Sequence, residues 1–595
     1  MLRKAPFAIS RGALLLLALP LLASALAHGD DHGHSMDMAH MTTPSNSTIT
    51  SGSSADGNGE MSYFAYDKHV GAIIAHVVLM VLGWFFILPI GVMFSIARHR
   101  LALPVQFLFL VVNAFGVLLG IVYNSQTPDL YENNVHHKIG WIATGVMSAQ
   151  VLMALVFAYS GRDKETNGAS YERVAFLPVS TADSTHEHPS HAYRWSGDSG
   201  QGTESSSLHS RNSSPTRGRR MSRPHVDDDF EKPEPEFIGE GPASGKRLFR
   251  NKFLDSFLSS RIPGMFSNRI LGAMNVVYVI IERTILILGF IAIVTGGVVY
   301  GGIFRAHDIF NGLAHFIKGG IFFWYGLLTL GRWMGCFADF GWAWNLKPSR
   351  AMVGKWKSRM PSGEFTESFV IFLYGSTNVF LEHLAAWGQG WSASDLEHVS
   401  ISIMFFGGGL CGMLIESKRI RGWMNATVLP PPAQSDEISA EDSAAWQEPQ
   451  TQRVPLNPMP AVVILLLGLM MSSHHQDSMV STMVHKQWGM LLIGFALARG
   501  VTYIILTLNP PKSYLPYRPP SELVASFCLI SGGLIFMAST RDVIKGMEYH
   551  NLHAMFVLTV GMGFTAFVMA WEILAIALKA WATRKTALPA ATRGF

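Results

Sequence analysis

The sequence predicts an all-α fold, a polytopic transmembrane bundle of about 11 spans, and three observations carry that prediction. The chain is 49% hydrophobic with only 15% charged residues. Its apolar residues gather into long runs, and each bilayer crossing needs about 20 such residues because hydrocarbon leaves no partner for an open backbone group. Lys and Arg lie between those runs, in alternate loops.

The N-terminus has the pattern of a secretory signal over residues 1–27. Arg3, Lys4 and Arg11 precede the apolar stretch Ala13–Leu22, and Ala25-Leu26-Ala27 matches the small-x-small cleavage rule. The alternative is an uncleaved anchor helix. Cleavage after Ala27 opens the mature chain with His28, His32, His34, Met36, Met38, His40 and Met41. Imidazole with thioether suits copper, and imidazole alone suits zinc or nickel. A solvated polar tail explains the same composition. This tail and its Ser/Thr/Gly-rich linker occupy residues 28–68, and Asn46-Ser47-Thr48 is a glycosylation sequon within it, the mark of a glycoprotein.

The expected spans are 70–97, 103–123, 139–160, 276–303, 309–331, 367–388, 398–416, 459–473, 486–508, 521–540 and 553–580. Pro458 and Pro460 make the eighth the shortest. With a lumenal N-terminus, the basic stretches around Arg98, after residue 160, at Arg332–Arg359, at Lys418–Arg421, at Lys512–Arg518 and at Arg584–Arg593 all fall on the cytosolic side. That consistency retains the eighth span, since dropping it would place the later basic loops outside. The C-terminus is then cytosolic, in a membrane of the secretory pathway (endoplasmic reticulum, vacuole or plasma membrane).

Residues 161–268 form a polar Ser/Pro/Arg/Glu-rich insertion with the composition of a disordered cytosolic segment. Arg219-Arg220-Met221-Ser222 offers Ser222 for phosphorylation, against the reading of an inert linker. Outside the tail and this insertion the chain has fourteen histidines, and only His99 falls on the cytosolic side. The other thirteen form a lumenal ring: His69, His76, His136, His137, His307, His315, His383, His398, His474, His475, His485, His550 and His553. Ionisable residues in spans usually face the bundle interior and mark function, whereas an interfacial histidine is tolerated where its ring stays half wet. Three chemistries use such a ring: haem b between two neutral imidazoles, a metal held by three or four convergent groups, and a proton path. The residues leave all three open, together with a non-catalytic, pH-responsive or structural role.

His76-Val-Val-Leu-Met, then Trp84, Pro89, Gly91 and the closing Ala97-Arg98, resembles the opening helix of the cytochrome b561 family. His137-Lys-Ile-Gly140 with Gln150 downstream is similar to a later helix of that family. The resemblance implies haem b held by His76 and His137, with His69 and His136 as rival ligands, and single-electron transfer from a small lumenal reductant. It covers residues 70–155, and the second span carries Asn113 and no histidine, so a second haem is not implied. The whole arrangement resembles the fungal YTP-type membrane-protein family. That likeness divides the membrane part into a three-span cytochrome b561-like domain at 69–160 and a multi-span region at 269–595.

The expected function is thus a membrane protein binding haem b or a metal on its lumenal side and taking part in redox chemistry. The alternative is a copper or zinc binding or transport protein. No Walker A, GxGxxG, HExxH or GxSxG motif occurs, and the partners expected are the lipid bilayer, lumenal metal ions or a reductant, but no nucleic acid. The sequence does not fix an oligomeric state.

Overall fold

The computed structural model describes residues 62–160, 267–305, 308–385, 390, 393–428, 456–474, 476 and 478–587. The expected signal, the histidine tail with Asn46, the insertion with Ser222, and His307 and His475 lie outside the described residues, as does the side chain of His383. Among the described residues the regular structure is all helix, with no strand. Its helices are α1 (Val70–Ile96), α2 (Ala102–Gln126), α3 (Val135–Ser160), α4 (Asn268–Gly301), α5 (Asp308–Met334), α6 (Arg350–Arg359), α7 (Gly363–Ala385), α8 (Ala393–Glu416), α9 (Lys418–Val428), α10 (Met459–Ser473), α11 (Met479–Leu508), α12 (Pro520–Ala538), α13 (Arg541–Tyr549) and α14 (Ala554–Ala587).

Among the described residues, nine helices are long and apolar enough to cross a membrane. The other two expected spans are also helices, but α10 has only 15 residues and α7 opens on Glu364 and Glu367.

Local chemistry sets the details. Within α1, Leu82–Ile87 winds as a π-helix just before Pro89. Pro89 has no N–H, so the Phe85 carbonyl one turn earlier loses its helical donor. The Trp571 indole of α14 donates to that carbonyl at 3.0 Å. α4 is capped by Ser267, whose hydroxyl accepts from the Ile270 N–H, and ends at Gly302 (φ 68°). There Ile303 and Gly302 donate to Val298 and Val299, the double bond that closes a helix through a left-handed residue.

Packing is close because small residues line the contacts. A Cβ on Gly468 of α10 would sit 2.7 Å from the Gly489 carbonyl of α11, and one on Gly319 of α5 would sit 2.7 Å from the Gly533 carbonyl of α12. One apolar core joins α1–α4 through Trp84, Leu88, Phe109, Met147 and Ile285. The helix after the insertion therefore completes a bundle with the first three. A second core joins α10, α11 and α12 through Ile464, Trp488, Phe495 and Leu529.

Each end of the bundle is tied across the chain. At one end Phe64 N–H donates to the Tyr300 carbonyl (3.0 Å), Arg305 to the Leu130 carbonyl (2.7 Å) and Phe304 N–H to Asp542 (2.7 Å). This is the histidine end. At the other, Leu346 N–H donates to the Ser513 carbonyl (2.9 Å) and Asn345 to the Tyr514 carbonyl (2.8 Å). This is the basic end.

Candidate functional site: two imidazole pairs

His76 projects from α1 into a notch in α2. Its Nδ1 lies 2.7 Å from the Gly116 carbonyl, and a Cβ on Gly120 would come within 2.9 Å of the same nitrogen. His136, on the first turn of α3, turns toward α4, where its Nδ1 is 3.4 Å from the Thr295 hydroxyl and its ring lies over Gly296. The two ring centroids are 6.5 Å apart. His137 points elsewhere. Its ring is exposed beside the exposed Trp141, because neighbouring helical residues diverge by about 100° and only one of the two can face the bundle. His69 is also exposed, at a left-handed position (φ 58°) just before α1.

A second pair stands between α5 and α11. His315 and His485 have ring centroids 6.0 Å apart and perpendicular planes. They rest on Phe536 and Trp488, which stack on each other at 4.1 Å. His315 Nδ1 lies 2.8 Å from the Asn311 carbonyl, and His485 Nδ1 lies 2.9 Å from the Ser481 carbonyl.

The acceptors define the tautomers. A carbonyl only accepts, so His76, His315 and His485 each donate from Nδ1. The Thr295 hydroxyl gives its own proton to the Ile291 carbonyl at 2.8 Å, so it too accepts, from His136. In the neutral state all four rings therefore carry their lone pair on Nε2, the nitrogen free to bind a metal or a proton.

The remaining members of the ring are more dispersed. His398, His550 and His553 are exposed, and His474 lies 3.8 Å from Glu397 with both side chains open to solvent. Among the described residues no group of three or more His, Cys, Asp or Glu is placed to hold a metal ion.

The basic end holds a feature that the sequence reading passed over. Arg332 of α5 pairs with Glu364 (2.8 Å) and Glu367 (2.5 Å) of α7. Arg499 of α11 pairs with Glu367 (3.3 Å) and with Glu522 of α12 (2.7 Å). No member of this network has a side chain more than 9% exposed. Trp344 lies under both guanidinium groups, at 4.4 and 5.7 Å. An arginine inside a long apolar run, as Arg499 is, was the available signal. Deeper in the first bundle, the Trp84 indole donates to Asn113 (2.9 Å), which donates to Thr144 (3.1 Å). Asn113 thus has a structural partner in the span that lacks histidine.

Residues 288–580 match the family described as "Protein YTP1-like, C-terminal", and residues 58–160 match one described as a domain of unknown function, DUF2427. An uncharacterized membrane protein of Schizosaccharomyces pombe is 33% identical over 557 residues, which cover 92% of this chain and 100% of that protein. The chain belongs to the YTP1-like family. An uncharacterized membrane protein of Saccharomyces cerevisiae is 40% identical over 326 residues, 53% of this chain and 50% of its own. Protein YTP1 of the same yeast is 25% identical over 216 residues, 36% of this chain and 38% of its own. No solved structure matches. On this YTP1-like chain the first imidazole pair falls in the segment matched by DUF2427, and the second pair and the buried ion network fall in the YTP1-like segment.

Proposed function

We propose that this YTP1-like membrane protein binds a transition-metal centre between paired imidazoles at the lumenal end of its bundle and takes part in membrane redox chemistry. One observation carries the reading: in both pairs every Nδ1 is engaged by an oxygen acceptor, which leaves the Nε2 lone pair of each neutral ring uncommitted, with the two rings of a pair 6.0–6.5 Å apart. This is how proteins orient imidazole for a metal. A metal with bonds of about 2 Å to two opposed imidazole nitrogens would separate the ring centroids by roughly 6 Å, the spacing of both pairs.

For haem b, which the cytochrome b561 resemblance implies, the fitting ligands are His76 and His136, two neutral imidazoles on α1 and α3 with their second nitrogens engaged. Haem iron would supply one-electron chemistry there, and the chain's part is to fix the tautomer and pitch of the two rings. Copper or zinc is the alternative occupant, with residues 28–41 as the lumenal capture tail. The orientation rests on the basic end facing the cytosol.

An optical spectrum with metal analysis on detergent-purified full-length protein tests the reading. We expect a Soret band, or about one bound transition metal per imidazole pair, lost from the first pair in His76→Ala and His136→Ala and kept in His137→Ala. Protein with neither a Soret band nor stoichiometric metal would refute it.

A further inference from the structure

We propose that α6 and α9 together form a binding surface for anionic phospholipid headgroups at the basic end of the bundle. α9 begins two residues after α8 ends at Glu416, so it starts where a membrane helix leaves the bilayer. Ile420, Trp423 and Met424 recur at the spacing of one helical face, and Trp423 and Met424 are 62% and 54% exposed. α6 repeats the composition. It is kinked at Gly354 (φ 79°), and Met352 and Trp356 are 61% and 62% exposed. Both segments set these apolar side chains among basic ones: Arg350, Lys355 and Arg359 on α6, Lys418 and Arg419 on α9, all exposed.

The segments flanking the two helices meet: the Ser362 hydroxyl, three residues past the end of α6, donates to the Glu416 carboxylate, two residues before α9 begins. Lys347 donates to the Met360 carbonyl just past the end of α6, and its ammonium pKa is pushed down by burial and then by the charge of Lys418 at the start of α9. The acidic side chains nearby are already engaged: Asp339 with Lys357 at 2.6 Å, Glu416 with Ser362 and Asn457, and Glu364 and Glu367 with Arg332. The five exposed basic residues are in no salt bridge among the described residues.

Helix energetics do not account for Lys418 and Arg419. Cations in the first turn oppose the positive end of the helix dipole, so they weaken α9 as an isolated helix. A leaflet of anionic lipid gives them a counter-charge, and it also gives Trp356 and Trp423 the interfacial depth that a soluble phosphate cannot. Exposed tryptophan between lysine and arginine is the composition of a segment lying in a charged membrane interface.

The test uses the full-length protein in mixed micelles of phosphatidylcholine and phosphatidylserine, with bound lipid quantified after purification. Wild-type protein should enrich phosphatidylserine. Lys355→Gln, Arg359→Gln, Lys418→Gln and Arg419→Gln combined should abolish the enrichment, at about fivefold per charge removed until the non-specific level is reached. Trp356→Ala with Trp423→Ala should reduce it without changing the charge. Lys138→Gln with Lys486→Gln, at the histidine end, should leave it intact. Should the fourfold variant fail to elute as a single species, Lys418→Gln with Arg419→Gln decides the matter alone. The proposal is overturned if wild-type protein shows no enrichment, if the α9 double variant keeps it in full, or if inorganic phosphate at matched ionic strength removes it, which would mark a soluble-anion site instead.

Discussion

Replacing Arg499 by Met should be among the most damaging single changes in the protein. Arg499 is fully buried and bridges two carboxylates, Glu367 at 3.3 Å and Glu522 at 2.7 Å. The two lose unequal amounts when it goes. Glu367 retains Arg332 at 2.5 Å, whereas Glu522, with a side chain 0% exposed, has no second ion pair among the described residues. Breaking a buried pair on one side strands a charge away from water, which costs about 3–5 kcal/mol. Removing both partners behaves differently, because a well-packed apolar pair of similar volume often replaces a buried ion pair at no loss. Arg499→Met should therefore lower the thermal midpoint of detergent-purified protein sharply, and Arg499→Met with Glu522→Met should recover most of that loss. The assay is the melting profile followed by size-exclusion chromatography of the monodisperse fraction. The coupling in the double-mutant cycle should exceed 2 kcal/mol, roughly the upper range for contacting residues. A neutral single variant, or additive losses in the double variant, would refute the reasoning.

Three further outcomes follow from the geometry. Asp542 accepts from the Phe304 N–H, and burial together with the nearby Asp308 raises its carboxyl pKa above the usual range. The folded state thus binds a proton more tightly than the unfolded chain, and its stability should fall as pH rises through the window between the ordinary and the raised value. Asp542→Asn keeps an acceptor for Phe304 and should flatten that limb of the stability profile. Gly468→Leu places side-chain atoms where a Cβ is already 2.7 Å from the Gly489 carbonyl, so α10 and α11 must separate, at a cost of about 1–3 kcal/mol or more in the same melting assay. Asn46 should carry an N-glycan that endoglycosidase removes, while the sequons Asn212-Ser-Ser and Asn425-Ala-Thr, expected on the cytosolic side, stay unmodified; a glycan on either of the latter would refute the expected orientation there.

The helices were legible in the sequence because hydrocarbon imposes a minimum length on every apolar run: α1, α2 and α12 lie within three residues of their expected bounds, whereas α8 and α11 begin five and seven residues earlier and α14 ends seven residues later, since a helix continues past its apolar run into polar residues. Side-chain direction was less legible. The motif resemblance aligned His137 with a haem ligand, yet at the head of α3 the adjacent position, His136, is the one turned toward His76, because rotation along the helix is fixed by packing against α1 and α4 rather than by the local motif. The ion network was hidden for another reason. Its five members come from four helices widely separated in sequence, and only tertiary packing brings Glu364 and Glu522 to the arginines.

Two helices connect the two features. α5 carries His315 near the histidine end and Arg332 near the basic end, about 25 Å of helix apart; α11 carries His485 and Arg499, about 21 Å apart. α5 and α11 both pack on α12, through Gly319 against Gly533 and through Trp488 against Phe536. A change in spacing at the second imidazole pair must therefore be absorbed either in soft side-chain rotamers beside Phe536 or as rigid displacement of helices whose far ends are locked by buried ion pairs. Cores at crystal-like density deform little, and the arginine network resists sliding, since moving either guanidinium off its carboxylates carries the penalty that Arg499→Met would measure. The buried charges at one end thus hold the imidazole spacing at the other. Arg499→Met should therefore also weaken the metal binding proposed for the His315–His485 pair, whereas that proposed for the His76–His136 pair, built on α1–α4, should be spared.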